Sequence, residues 1–183
     1  MLALTLTLML AQEPAPAPLS TDALKDLTHT YVQGERMAAI PFGISGLSQA
    51  LAGSLLFTSS SDIARGAAVP LLIFGGVELI AAVLLGVRNQ ETKLDELLAQ
   101  DKGKFLEQER KHAHRITHVY QPALLAVEAV AIATGGALAG GGAVRHDDRL
   151  LGVGLGLAVG SLVLFVLDWA VLDRAQAYEA ALR

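Results

Sequence analysis

Four blocks of about twenty apolar residues, at 37–58, 66–87, 122–144 and 150–172, contain no Lys or Arg. A helix rising 1.5 Å per residue needs roughly twenty residues to cross about 30 Å of hydrocarbon. Buried helices of water-soluble proteins are rarely so long and so free of charge on every face. The chain is 52% hydrophobic and 17% charged, well below the quarter or so of charged residues usual in soluble domains. The expected fold is therefore an all-α membrane protein with four transmembrane helices.

The four blocks pair into two hairpins with shared punctuation. Thr28-His29-Thr30-Tyr31 precedes the first pair, and Thr117-His118-Val119-Tyr120 precedes the second. Asp62, Gly66, Arg88 and Gln90 recur at the spacing of Asp148, Gly152, Arg174 and Gln176. Such self-similarity reads as a duplicated unit. Each copy holds two spans, so both enter the membrane in the same direction, related by a pseudo-two-fold axis along its normal. The expected organisation is a signal peptide at 1–11, a Pro/Ala-rich linker at 12–20, a first hairpin at 21–87, a polar connecting segment at 88–121 and a second hairpin at 122–183.

The opening run from Met1 to Ala11 is too short to span. It suits a signal-peptide core, although the usual basic start is missing. Ser20 and Thr21-Asp22 are placed to cap a short helix before the first span, which Pro41 and Gly43 interrupt. The connecting segment carries Leu94, Leu97, Leu98, Phe105, Ile116 and Val119 at roughly helical spacing among charges. It predicts one or two amphipathic helices, broken or bent near Gly103, lying on the membrane or packing on the end of the bundle.

Sidedness signals conflict. Only Arg65, Arg145 and Arg149 of the fourteen basic residues lie in the short turns; the other eleven share the side of both termini. The positive-inside rule would place that richer side in the cytoplasm. A cleaved signal peptide places it outside. The bases of the connecting segment are spread among acids, which weakens the charge rule, so the termini and connecting segment are expected outside, with the chain in a bacterial inner membrane.

Small residues recur at helical spacing: Gly46 and Gly53 on the first span, Gly136 and Gly140 on the third, Gly152, Gly156 and Gly160 on the fourth. In lipid, helices associate by close backbone approach, which such stripes permit. The partner helix is expected in the same chain by default, with a homodimer or another membrane protein as the further partner such stripes would serve.

Three acids lie within the spans, Glu78, Glu128 and Asp168, with no Lys or Arg beside them. A charge at the bilayer centre costs a few kcal/mol or more, so these side chains are expected to face the bundle interior, where they would form a proton or cation site or simply be bonded within the core. They do not follow the repeat: Glu78 falls opposite Leu164, and Asp168 opposite Ala82.

His114 and His118 sit one helical turn apart, a spacing compatible with a metal. No acid follows one turn later, and Lys111 and Arg115 disfavour a divalent cation. The preferred reading makes His29, Tyr31, His118, Tyr120 and Trp169 anchors at the membrane interface. No cysteine is present, which excludes disulfides and thiol chemistry. No zinc-protease, phosphate-loop or nucleophile-elbow motif occurs, and no basic cluster points to nucleic acid. The expectation is a protein with no catalytic residue and no cofactor. Its role is structural, assembly or accessory; the rival is a subunit of a proton- or cation-conducting transporter or channel.

Overall fold

The computed structural model describes residues 19–87 and 91–183; the signal-peptide and most of the linker assignments, and the repeat positions Arg88 and Gln90, lie outside them. The described residues form six α-helices: α1 (Thr21–Phe57), α2 (Asp62–Val87), α3 (Glu91–Gln100), α4 (Lys102–Arg115), α5 (Gln121–Arg145) and α6 (Asp148–Ala181). A π-helical turn, Ile116–Tyr120, joins α4 to α5 without a break. Four helices are long and apolar enough to cross a membrane.

The side-chain distribution is that of a protein in lipid. Ile44, Leu55, Ile80, Leu84, Val127 and Val130 are all more than 60% exposed. Inside the spans sit glycines, Gln49, Glu78, Glu128 and Ser161. In water, so continuous an apolar surface would drive aggregation; in a bilayer it is the solvated face.

Helix packing follows where side chains are smallest. Buried positions on α1 (Ala38, Phe42, Gly46, Gln49 and Gly53) recur every three or four residues and form one stripe. A Cβ on Gly46 or Gly75 would meet the backbone of the other's helix, so α1 and α2 touch main chain to main chain. Gly66 and Gly152 do the same between α2 and α6, and Gly135 and Gly154 between α5 and α6. Helix α6 thus touches α5 and α2, and it also touches α1. Gly136 and Gly140 do not pack within the chain. They are exposed, and a Cβ on either would meet nothing. The inward glycines of α5 are Gly135 and Gly142, a different phase of the same glycine-rich run.

Helices α1 and α6 are longer than a bilayer core requires. At 1.5 Å per residue, the 37 residues of α1 extend about 55 Å, against about 30 Å of hydrocarbon. The overhanging ends of α1 and α6, together with α3 and α4, build a second, water-side core from Leu24, Tyr31, Leu98, Phe105, Ala113, Ala175, Tyr178 and Leu182. The connecting segment therefore packs on the end of the bundle. Its break falls at Asp101, not Gly103: Asp101 is extended, and its side chain accepts from the Lys104 N–H at 3.0 Å, capping α4. Helix α1 runs unbroken from Thr21 through Pro41, with no separate short helix before the span.

The turns close tightly. His146 ends α5 in the left-handed region (φ 52°), with the Asp147 N–H donating to the Gly142 carbonyl at 2.9 Å. Asp147 then caps α6 through the Leu150 N–H.

Candidate functional site

Two groups of polar side chains stand out, one within the spans and one in the water-side crown. Within the spans, Glu78 of α2 is fully buried. Gln49 of α1 donates from Nε2 to Glu78 Oε1 at 2.6 Å, and Ser45, one turn away, also bonds the carboxyl. Gly160 of α6 packs against the Phe74 ring of α2, and a Cβ there would also approach Gln49 Oε1. Asp168 of α6 lies near enough to Glu78 and to Glu128 of α5 for the three carboxyls to interact. Three acids distant in sequence thus form a succession through the core: Glu78, Asp168, Glu128. Glu78 Oε2, Glu128 Oε2, Gln49 Oε1 and Ser161 Oγ are buried with no hydrogen-bond partner. Gln49 was missed by sequence reasoning; a single Gln near the middle of an apolar block was the available signal.

The crown holds the second group. Glu179, at the end of α6, is buried to 8% exposure. Its Oε2 lies 2.5 Å from Thr117 Oγ1 and 3.2 Å from His118 Nε2, and its Oε1 lies 3.2 Å from His114 Nδ1 and 3.3 Å from Arg183 Nη2. The Thr117 hydroxyl first, then His114, Arg183 and His118, hold the carboxyl down to about 2 against its burial. The two imidazoles stack obliquely, with centroids 4.4 Å apart. Helix α4 presents His114 and the π turn presents His118. A proline at 122 supplies no N–H and crowds the carbonyl four residues back, and the widened turn at Ile116–Tyr120 accommodates it, with the Gln121 N–H reaching the Ile116 carbonyl.

The interface anchors separate. His29 bonds Asp95 of α3 at 2.9 Å, beside Lys25 at 3.1 Å, and these two partners hold the Asp95 carboxyl below its ordinary range. Tyr31 is buried and stacks on Tyr178, with ring centroids 4.1 Å apart. Tyr178 bonds Glu109 and Thr28, and burial with the neighbouring Glu109 raises its phenol. Tyr120 and Trp169 are exposed, as an interface belt requires. His118 faces Glu179, so the two Thr-His-x-Tyr motifs meet different partners.

Arg110 donates to the Leu182 and Arg183 carbonyls at 2.7 and 3.1 Å, closing the end of α6 where unpaired carbonyls gather. A cavity of about 340 Å³ between α1 and α6 is lined by Leu27, Tyr31, Gly34, Arg174 and Tyr178. A second of similar size lies at the opposite end, among Phe57, Asp62, Arg65, Val69 and Arg149. Neither includes the buried acids. No family model, curated protein or solved structure matches the chain.

Proposed function

We propose that this chain is a small, non-enzymatic, multi-pass membrane protein of structural, assembly or accessory type, working through helix packing and its polar crown. One observation carries the reading: the spans meet backbone to backbone at Gly46/Gly75, Gly66/Gly152 and Gly135/Gly154, closing the core around its acids. Close backbone contact of this kind holds transmembrane helices together and leaves little room for a permeant ion.

The test is reconstitution of the full chain in vesicles loaded with a pH-sensitive dye. Under an imposed potential, wild type and Glu78→Gln should leak protons at the same rate as empty vesicles. Flux that Glu78→Gln abolishes would overturn this reading. It would favour the second one, a proton- or cation-handling subunit, which the succession Glu78, Asp168, Glu128 supports.

The same reading takes the protein as two tandem hairpins related by a pseudo-two-fold axis. Reciprocal contacts support it: Gly66 abuts the backbone of Arg149, and Gly152 abuts that of Ile63, the positions equivalent under a shift of 86 residues. Outward-facing Gly136 and Gly140 would serve a second copy or another membrane protein. The membrane is proposed to be the bacterial inner membrane, with the crown outside.

A further inference from the structure

We propose that His114, His118 and Glu179 form a binding site for a divalent transition-metal ion, of which Zn²⁺ is the working example. Nδ1 of His114, Nε2 of His118 and a carboxylate oxygen of Glu179 all lie within 4.8 Å of one another. His114 Nδ1 lies 3.2 Å from Glu179 Oε1, and His118 Nε2 lies 3.2 Å from the other oxygen, Oε2. Tetrahedral zinc, with bonds of about 2.0–2.1 Å, sets its ligand atoms about 3.3 Å apart. The three groups are thus gathered near ligand spacing, and small side-chain rotations would bring them onto one ion.

The surroundings fit the assignment. Thr117 bonds Glu179 Oε2 and fixes the carboxylate, the kind of outer contact that orients metal ligands. The carboxylate is buried, while the His114 and His118 side chains are 62% and 52% exposed, so an ion has a route from water. The histidines flank and enter a π-helical turn, a feature that recurs at functional sites. Two imidazoles and one carboxylate suit a borderline cation. Mg²⁺ and Ca²⁺, which want several oxygens, find too few here.

Positive neighbours set the limit on affinity. Arg183 pairs with Glu179 Oε1 at 3.3 Å and is itself 72% exposed, so it can swing clear. Lys111 and Arg115 are exposed on the same helix as the histidines. Their charge opposes any divalent ion, and the imidazole nitrogens, which Mg²⁺ binds poorly, supply the selectivity. Three protein ligands leave at least one position open. The bound ion would add a fastening between the end of α6 and the α4–α5 junction, beside the apolar core that already packs them together.

The experiment is Zn²⁺ titration of the detergent-solubilised full chain, in competition with a chromophoric chelator, with Mg²⁺ in parallel. We expect one Zn²⁺ per chain and no Mg²⁺. His114→Ala, His118→Ala and Glu179→Gln should each weaken binding at least tenfold, and His112→Ala, off this face, should not. Elution volume and helical circular dichroism identify any variant that fails to fold. The His118→Ala variant, at an exposed position, keeps the test valid if Glu179→Gln does fail. Absence of saturable Zn²⁺ binding, or binding unchanged in the His114→Ala/His118→Ala double variant, would overturn the proposal.

Discussion

Gln49 supplies one of the few polar partners the buried carboxyl of Glu78 has in the spans, through a 2.6 Å bond. Replacing it by Leu removes the Gln49 bond from Glu78 Oε1, beside an already unpartnered Oε2. Loss of an interhelical bond of this kind costs about 1–2 kcal/mol in a membrane. Gln49→Leu should therefore lower the detergent unfolding midpoint. Glu78→Gln, whose amide can still pair with Gln49, should lower it less. At the surface, Asp95 joins α3 to α1 through Lys25 and His29. Its carboxyl lies below the ordinary value of 3.8. A lowered carboxylate contributes stability above its unfolded pKa and loses it as pH falls through the folded one. Asp95→Asn should accordingly speed amide exchange in α3 at neutral pH. The difference from wild type should fade as the pH drops below that ordinary value. If it is equally large in acid, the ion pair is not what holds α3.

At the scale of helices, contact is decided by which glycine faces which backbone. A Cβ on Gly152 would strike the Ile63 main chain, which cannot move aside as a flexible side chain can. Overpacking of this sort typically costs about 1–3 kcal/mol. Gly152→Ala should measurably lower the unfolding midpoint, whereas Gly136→Ala should leave it unchanged, since nothing lies within reach there. Glycine periodicity was legible in the sequence of α5, but not its phase. Adjacent glycines at 135–136 and 140–142 offer several faces, and a one-residue shift turns a helix by about 100°. Only the packing partner, α6, selects Gly135 and Gly142. Likewise the sequence suggested Gly103 as the break in the connecting segment. The capping bond from the Lys104 N–H places it at Asp101.

For the molecule as a whole, orientation is the open choice between a basic-rich side and a signal-like start. The chain has no cysteine, so single cysteines report cleanly. Lys104 in the crown and Ser60 in the first short turn are both exposed. With the crown outside, Lys104→Cys should react with a membrane-impermeant maleimide in intact cells, and Ser60→Cys only after permeabilisation. The reverse pattern would place the termini in the cytoplasm, as the positive-inside rule prefers.

The four spans, the two short turns and the inward-facing acids follow from the chain alone, because hydrocarbon leaves a long uncharged segment no alternative to a helix. A local rule of that strength acts residue by residue and needs no knowledge of neighbours. The gathering of Glu78, Asp168 and Glu128 and the seating of Glu179 between two histidines depend on which helices lie side by side. Glu179 is 61 residues from His118. No local pattern links them; the overhang of α6 past the membrane and its packing against the α4–α5 junction bring them together.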